Sequence, residues 1–385
     1  MEILGFAHLQ FDPAVNNLIS EKKLTDGLSA VAQIGQTLWV ANDETVSLER
    51  LFLLGQDENG IYQFGNHTSF ALVDFLNLPV SPASGDIKEV DIEGLYCADG
   101  YLWLVGSHSL KRTKADENDL PETTIRNLTD VKVKGNRFLL ARIPLVPEDK
   151  PGHFGLKKKV RQPEAERRAA QLPGNEKSSL LTQILKGEKH EEADEHVKDF
   201  LAIPGKDNGF DIEGLAVAGN HVFVGLRGPV LRGWAIILEL EVEADDEPAL
   251  LTLRSFERAD GEPRRYRKHF FELDGLGIRD LCVQGNDLLI MAGPTMVLDG
   301  PVTVFRWRDG ILANRESLVF REKLIEVASL PFGKGEDHPE GMTFFSADGL
   351  ETDALLIVND ATENPLLGRK LGSDGFKADI FLLAR

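Results

Sequence analysis

The chain has 385 residues, 62 of them acidic and 43 basic, for a formal charge of −19. That balance argues against a non-specific binder of nucleic acid or anionic membrane, since both need a basic footprint. At 42% hydrophobic and 27% charged the chain buries a real core, and 36 glycines with 18 prolines point to many turns and to β-structure.

The first residues, MEILGFAHLQFD, put no basic segment ahead of an apolar run, so no signal peptide is expected there. No apolar run approaches the roughly 18 residues of a membrane-spanning helix. Cys97 and Cys282 each sit inside an apolar, strand-like run. Without a secretion signal they read as buried thiols of a cytoplasmic protein.

Five stretches share one template. GLSAVAQIGQTLWVANDET starts at Gly27, DIEGLYCADGYLWLVGSHS at Asp91, and DIEGLAVAGNHVFVGLRGP at Asp211. GIRDLCVQGNDLLIMAGPT starts at Gly277, and HPEGMTFFSADGLETDALLIVNDAT at His338. Ser29, Glu93, Glu213, Arg279 and Glu340 are then equivalent, at steps of 64, 120, 66 and 61 residues. Each copy is a short apolar run, a turn of Gly, Asn or Asp, and a second β-branched or aromatic run, which is a β-hairpin. Third-strand candidates follow at Arg50–Leu54, Arg137–Leu145, Ala235–Val242, Val302–Trp307 and Ala378–Leu383.

Four antiparallel strands in about 60 residues is the pattern of a propeller blade. The expected fold is therefore all-β: one domain over residues 1–385, a closed β-propeller of five four-stranded blades. The 120-residue step is read as one blade plus a charged helical insertion at 147–197, because PEAERRAAQL and KSSLLTQILKGEKHEEADEH look helical. Six blades is the alternative if that step holds two units. The last unit supplies three strands, and residues 3–9 alternate in a way that would furnish its fourth.

The two DIEGL units, LRGPVLRGWAIILEL from Leu226 and NRFLLARIPL from Asn136 resemble the bacterial domain of unknown function 3616 family over nearly the whole chain. That resemblance implies a propeller-like protein and carries no established activity. More distantly, the Glu-Gly heading an inner strand is similar to calcium-dependent lactonase and phytase-like propellers. There, such glutamates gather around a metal in the central channel.

In a blade the first strand begins, and the second ends, at the same mouth of the channel. This places Asn42, Asp43, Glu93, His108, Glu213, Arg227, Arg279, Glu340, Asn359 and Asp360 together. The first and last units share Asn-Asp-x-Thr, at Asn42–Thr45 and Asn359–Thr362. Glu93, Glu213 and Glu340 would repel unless neutralised, either by a hard cation such as Ca²⁺ or Mg²⁺ or by Arg227 and Arg279. With Asn42, Asp43, Asn359 and Asp360, the two arginines would also bind a small anionic ligand. His108 is the candidate general base.

Two functions follow. One is a metal-assisted hydrolase of a small phosphoester or lactone. The other is a protein-interaction scaffold in which Asp-x-Glu-Gly fastens blade to blade through backbone N–H groups. No nucleic-acid or membrane partner is expected, and no cofactor other than the cation.

Overall fold

The computed structural model describes residues 3–16, 18, 22–80, 89–116, 118–161, 166–189, 191–257, 263–296, 298–332, 337–350, 353–361 and 369–383. Strands take 52% of the described residues and helical turns 12%, so the fold is mostly β, and its arrangement is propeller-like. Among the described residues no helix is long and apolar enough to cross a membrane.

In chain order the main strands begin with β1 (Ile3–Gln10). The first unit is β2 (Leu28–Ile34), β3 (Thr37–Asn42), β4 (Ser47–Gln56) and β5 (Tyr62–Ala71). The second has β6 (Ile92–Ala98), β7 (Tyr101–Gly106) and β8 (Leu140–Pro147). The third is β9 (Asp211–Ala218), β10 (His221–Gly228), β11 (Trp234–Ala244) and β12 (Arg267–Glu272). The fourth is β13 (Gly277–Gln284), β14 (Asp287–Gly293), β15 (Val302–Trp307) and β16 (Ile325–Leu330). The last has β17 (Asp337–Phe345), β18 (Ala354–Ala361) and β19 (Gly375–Leu382).

Within each unit successive strands pair antiparallel, because Gly, Asn and Asp turns return the chain directly. β1 lies antiparallel along β19, from Ile3 opposite Phe381 to Gln10 opposite Gly375, so the start of the chain is the outer strand of the last unit. It also pairs parallel with β5 through Ala7, His8 and Leu9, which joins the first and last units. The other sheets stay separate, and hydrogen bonds do not seal the units into one continuous ring.

The units meet instead through side chains. β2 touches β6, β6 touches β9, β9 touches β13, β13 touches β17, and β17 touches β2. Alternation sends each strand's apolar residues to both faces, and five buried clusters result, each shared by two neighbouring units. Leu95, Leu104 and Trp39 fill one between the first and second, for example, and Leu9, Leu38 and Leu356 fill the one between the last and first.

The 147–197 segment departs from the helical insertion expected of it. Its one α-helix among the described residues is Leu180–Leu185, capped by Ser179. Phe154–Leu156 and Ala170–Gln171 pair instead with the free edge of β8 and complete the second unit's sheet. Glu166–Arg168 folds back on Lys159–Arg161. The reason is tertiary: an open sheet edge and buried places for Ala169, Ala170 and Leu172 outweigh the helix propensity of an Ala-, Glu- and Arg-rich run. Residues 162–165 and 190 of that segment lie outside the described residues.

Candidate functional site

The five equivalent positions of the repeat coincide with one backbone feature. In each unit the pairing of first and second strands slips by one residue, between Leu28 and Ala30, Ile92 and Gly94, Ile212 and Gly214, Ile278 and Asp280, and Pro339 and Gly341. The skipped residues are Ser29, Glu93, Glu213, Arg279 and Glu340. A β-bulge re-aims the residue it leaves unpaired, so the repeat sets five side chains at one end of the sheets.

The glycine after each glutamate is a packing requirement. A Cβ at Gly94 would lie 2.5 Å from the Leu215 side chain of the next unit. One at Gly214 would meet Leu281 at 2.9 Å, and one at Gly341 would meet the Ala30 backbone at 3.1 Å. In the fourth unit Asp280 stands in the glycine's place and accepts N–H bonds from Met342 at 2.7 Å, from Leu281 at 2.8 Å and from Leu215. Ser29 donates to the Ile92 carbonyl at 2.5 Å. Backbone hydrogen bonds between units are thus made by Ser29 and Asp280, whereas Glu213 and Glu340 link units through Arg279.

The glutamates face a cavity of about 790 Å³ that Asn42, Asp43, Glu93, Glu213, Arg227, Glu340 and Asp360 line together. Arg227 is ion-paired to Asp211 and, at 2.7 Å, to Glu213. Arg279 reaches Glu213 at 2.8 Å and Glu340 at 3.5 Å, bridging the third and last units. Arg137, from the segment before β8, pairs with Asp91 at 2.9 Å and Glu89 at 3.1 Å. The two arginines expected to hold an anion are therefore committed to carboxylates.

Three carboxylates are left. Asp43, Glu93 and Asp360 face the cavity, and none makes a side-chain hydrogen bond or ion pair with a described residue. Burial, with Asp91, Glu213 and Glu340 nearby, pushes Glu93 well above the usual carboxylate range. Burial with Asp91 and Asp360 pushes Asp43 up to about 7. Asp360 is raised by burial, against the pull of His338 and Lys206. Glu340 is raised well up by burial and by Asp360, in spite of Arg279. Asp211 is pushed up to about 6 by burial, with Arg227 pulling it back. Removal from water, not pairing, dominates this floor.

The expected metal ligands Glu93, Glu213 and Glu340 do not converge as they stand. Arg227 and Arg279 occupy Glu213 and take part of Glu340. Among the described residues, the group of three whose ligand atoms lie within 4.8 Å of one another is Asp194, Glu195 and His196. Lys268 fills it, its Nζ 2.7 Å from Asp194, 3.2 Å from Glu195 and 2.9 Å from His196 Nδ1.

His108 is not in the cavity lining. It is buried in left-handed backbone, at φ 56°, with Nδ1 2.8 Å from the Gly106 carbonyl and the ring edge-on to Phe138. Burial pushes it down to about 4, too low for a base working near neutral pH. Asn42 lines the cavity, yet its amide is used locally, donating to Leu24 at 3.0 Å and accepting from Glu44 N–H at 2.8 Å. Asn359 is buried on β18 opposite Pro339, and Thr362 lies outside the described residues.

Sequence reasoning left Asp91, Asp211, Arg137 and Lys206 out of the candidate site, and read Arg137 only as the start of a strand. The first two carried a signal, since both head the repeated Asp-Ile-Glu-Gly; the others come from connections outside the repeat.

A family model described as a protein of unknown function, DUF3616, matches residues 27–379. The chain belongs to this family. No curated protein sequence matches it significantly. Among solved structures it is similar to the aldose sugar dehydrogenase of Streptomyces coelicolor in its PQQ-bound form, at 11% identity over 98% of each chain and a TM-score of 0.36. It is also similar to a putative oxidoreductase (glucose dehydrogenase) from Thermus thermophilus, at 11% identity over 98% of this chain and 100% of that one, with a TM-score of 0.34. Likenesses this distant carry no argument about activity.

Proposed function

We propose that this protein is a closed ring of five four-stranded blades whose channel mouth binds a hard divalent cation, Ca²⁺ or Mg²⁺, through Glu93, Asp43 and Asp360. The reaction such a site supports is metal-assisted hydrolysis of a small phosphoester or lactone, with cation-bound water as nucleophile. The observation that carries the reading is the uncompensated charge of the floor. Arg137, Arg227 and Arg279 are each matched to two carboxylates, while Asp43, Glu93 and Asp360 make no ion pair with a described residue.

Oxygen-only donors suit a hard cation. The cavity volume falls in the range of small-molecule sites. The unpaired state of Cys97 and Cys282 supports a reducing, cytoplasmic setting.

The test is calorimetric titration of Ca²⁺ and Mg²⁺ into wild type and Glu93→Gln, with a hydrolysis screen run with and without EDTA. Wild type should bind and the variant should lose most of that affinity, while melting at the same or higher temperature without metal. Hydrolysis that survives both EDTA and Glu93→Gln would contradict the metal step.

A second reading, a docking scaffold, rests on the excursion between β7 and β8. There Leu120 is 71% and Ile125 66% exposed, and Leu110 and Leu128 of the same excursion line the cavity.

A further inference from the structure

The cavity is stratified by charge. Its buried floor holds Asp43, Glu93, Asp211, Glu213 and Glu340 with the paired Arg137 and Arg227, whereas Lys22, Lys111, Arg112, Lys114 and Lys206 stand on its exposed side. Most of these cations are already engaged: Lys22 with Glu44, Lys111 with Glu89 at 3.5 Å, and Arg112 with Asp207 at 2.7 Å. Lys206 makes no ion pair or side-chain hydrogen bond with a described residue.

Its backbone, by contrast, is pinned. It lies in the short helical turn Gly205–Asp207, where Gly205 N–H bonds to the Leu110 carbonyl at 3.1 Å, Leu110 bridges Pro204, and Asp207 holds Arg112. That turn joins the second unit to the third, yet the Lys206 charge acts on Asp43 of the first unit and on Asp360 of the last. Lys206 lines the cavity together with these two carboxylates, which are proposed to hold the cation. Lys22 acts on the same two carboxylates, and its exposed pair with Glu44 is of the kind that exchanges readily with solvent.

We infer that Lys206, with Lys22, forms an anion subsite above the carboxylate floor, so that the ligand is a small molecule carrying a phosphate or carboxylate. A cation on the floor repels the ammonium of Lys206 and attracts the ligand's anion, so floor and rim would grip one group from two sides. This rests on the cation reading for the floor, but the rim itself is testable without it. Unlike the arginines singled out from the sequence, Lys206 has no carboxylate partner among the described residues.

The probe is inorganic phosphate, with acetate as the carboxylate arm, titrated into wild type, Lys206→Met and Lys111→Met in Mg²⁺ and again in EDTA. Wild type should bind one of the two anions. Lys206→Met should bind it about tenfold or more weakly, the loss of one charge-assisted contact. Lys111→Met should match wild type, and Mg²⁺ affinity in Lys206→Met should be unchanged or higher. Anion binding equal in wild type and Lys206→Met, an equal loss in both variants, or no anion binding to wild type would each overturn the subsite. A wild type that binds phosphate but not Mg²⁺ would refute the cation floor and leave the lysine subsite standing.

Discussion

Replacing Arg279 with Met removes the cation that joins two units at the cavity floor while keeping most of the side-chain volume. Its guanidinium is 7% exposed, Glu213 5% and Glu340 20%, so the carboxylates it leaves behind are largely out of water. Stripping one partner from a buried ion pair costs about 3–5 kcal/mol. Glu213 keeps Arg227 at 2.7 Å, whereas Glu340 loses the only ion pair it makes with a described residue, so the lower end, about 3 kcal/mol, is expected. With unfolding entropy near 2.1 cal/mol/K per residue, 385 residues give about 0.8 kcal/mol/K, and the melting temperature should fall by about 4 °C.

The pH dependence identifies the cause. Glu340 is already held well above its ordinary pKa by burial and Asp360, and without Arg279 it rises further. A carboxylate whose folded pKa is raised contributes fully below its unfolded pKa, and that stability is lost as pH rises through the folded value. The deficit of Arg279→Met should therefore be small near pH 4 and full at pH 8, and added Mg²⁺ should recover part of it at pH 8. Urea denaturation of both proteins at several pH values measures this. A deficit below about 1 kcal/mol, or one that does not change with pH, would show that Arg279 only fills space.

Asp280→Asn turns one acceptor of three backbone N–H bonds into a donor pointing at an N–H, and should cost about 2 kcal/mol at pH 7 with no response to Ca²⁺ or Mg²⁺. A cation-dependent loss in urea melts would move Asp280 from the fasteners to the ligand site. Glu239 is buried and held down at about 2: burial works against this, but hydrogen bonds from His221 at 2.6 Å and His269 at 3.0 Å prevail. Its stability is present above the unfolded carboxylate pKa and is lost as pH falls through about 2. Glu239→Gln should thus cost about 2 kcal/mol at pH 7, and the gap to wild type should close in melts below pH 3.

The repeat was legible because its causes are local. Alternating apolar runs with Gly, Asn and Asp turns make a hairpin wherever they occur, and a bulge that recurs in each unit marks its residue by position alone. That is why Ser29, Glu93, Glu213, Arg279 and Glu340 align in sequence and again in the structure. The outer strand at residues 3–10 was readable for the same reason, from its alternation and from the last unit's missing strand.

Tertiary structure decided what depends on partners distant in sequence. Whether Ala170 and Gln171 become helix or edge strand depends on β8 lying open beside them. Which carboxylates Arg279 neutralises depends on angles between units that no repeat records. Asp91 and Glu89 are neutralised by Arg137, which comes from a connection outside the repeat. Lys206 reaches the mouth from another connection. Propensity and pattern act over a few residues, but the pairs Arg137–Asp91 and Arg279–Glu213 are settled between groups 46 and 66 residues apart, once the sheets have brought them together.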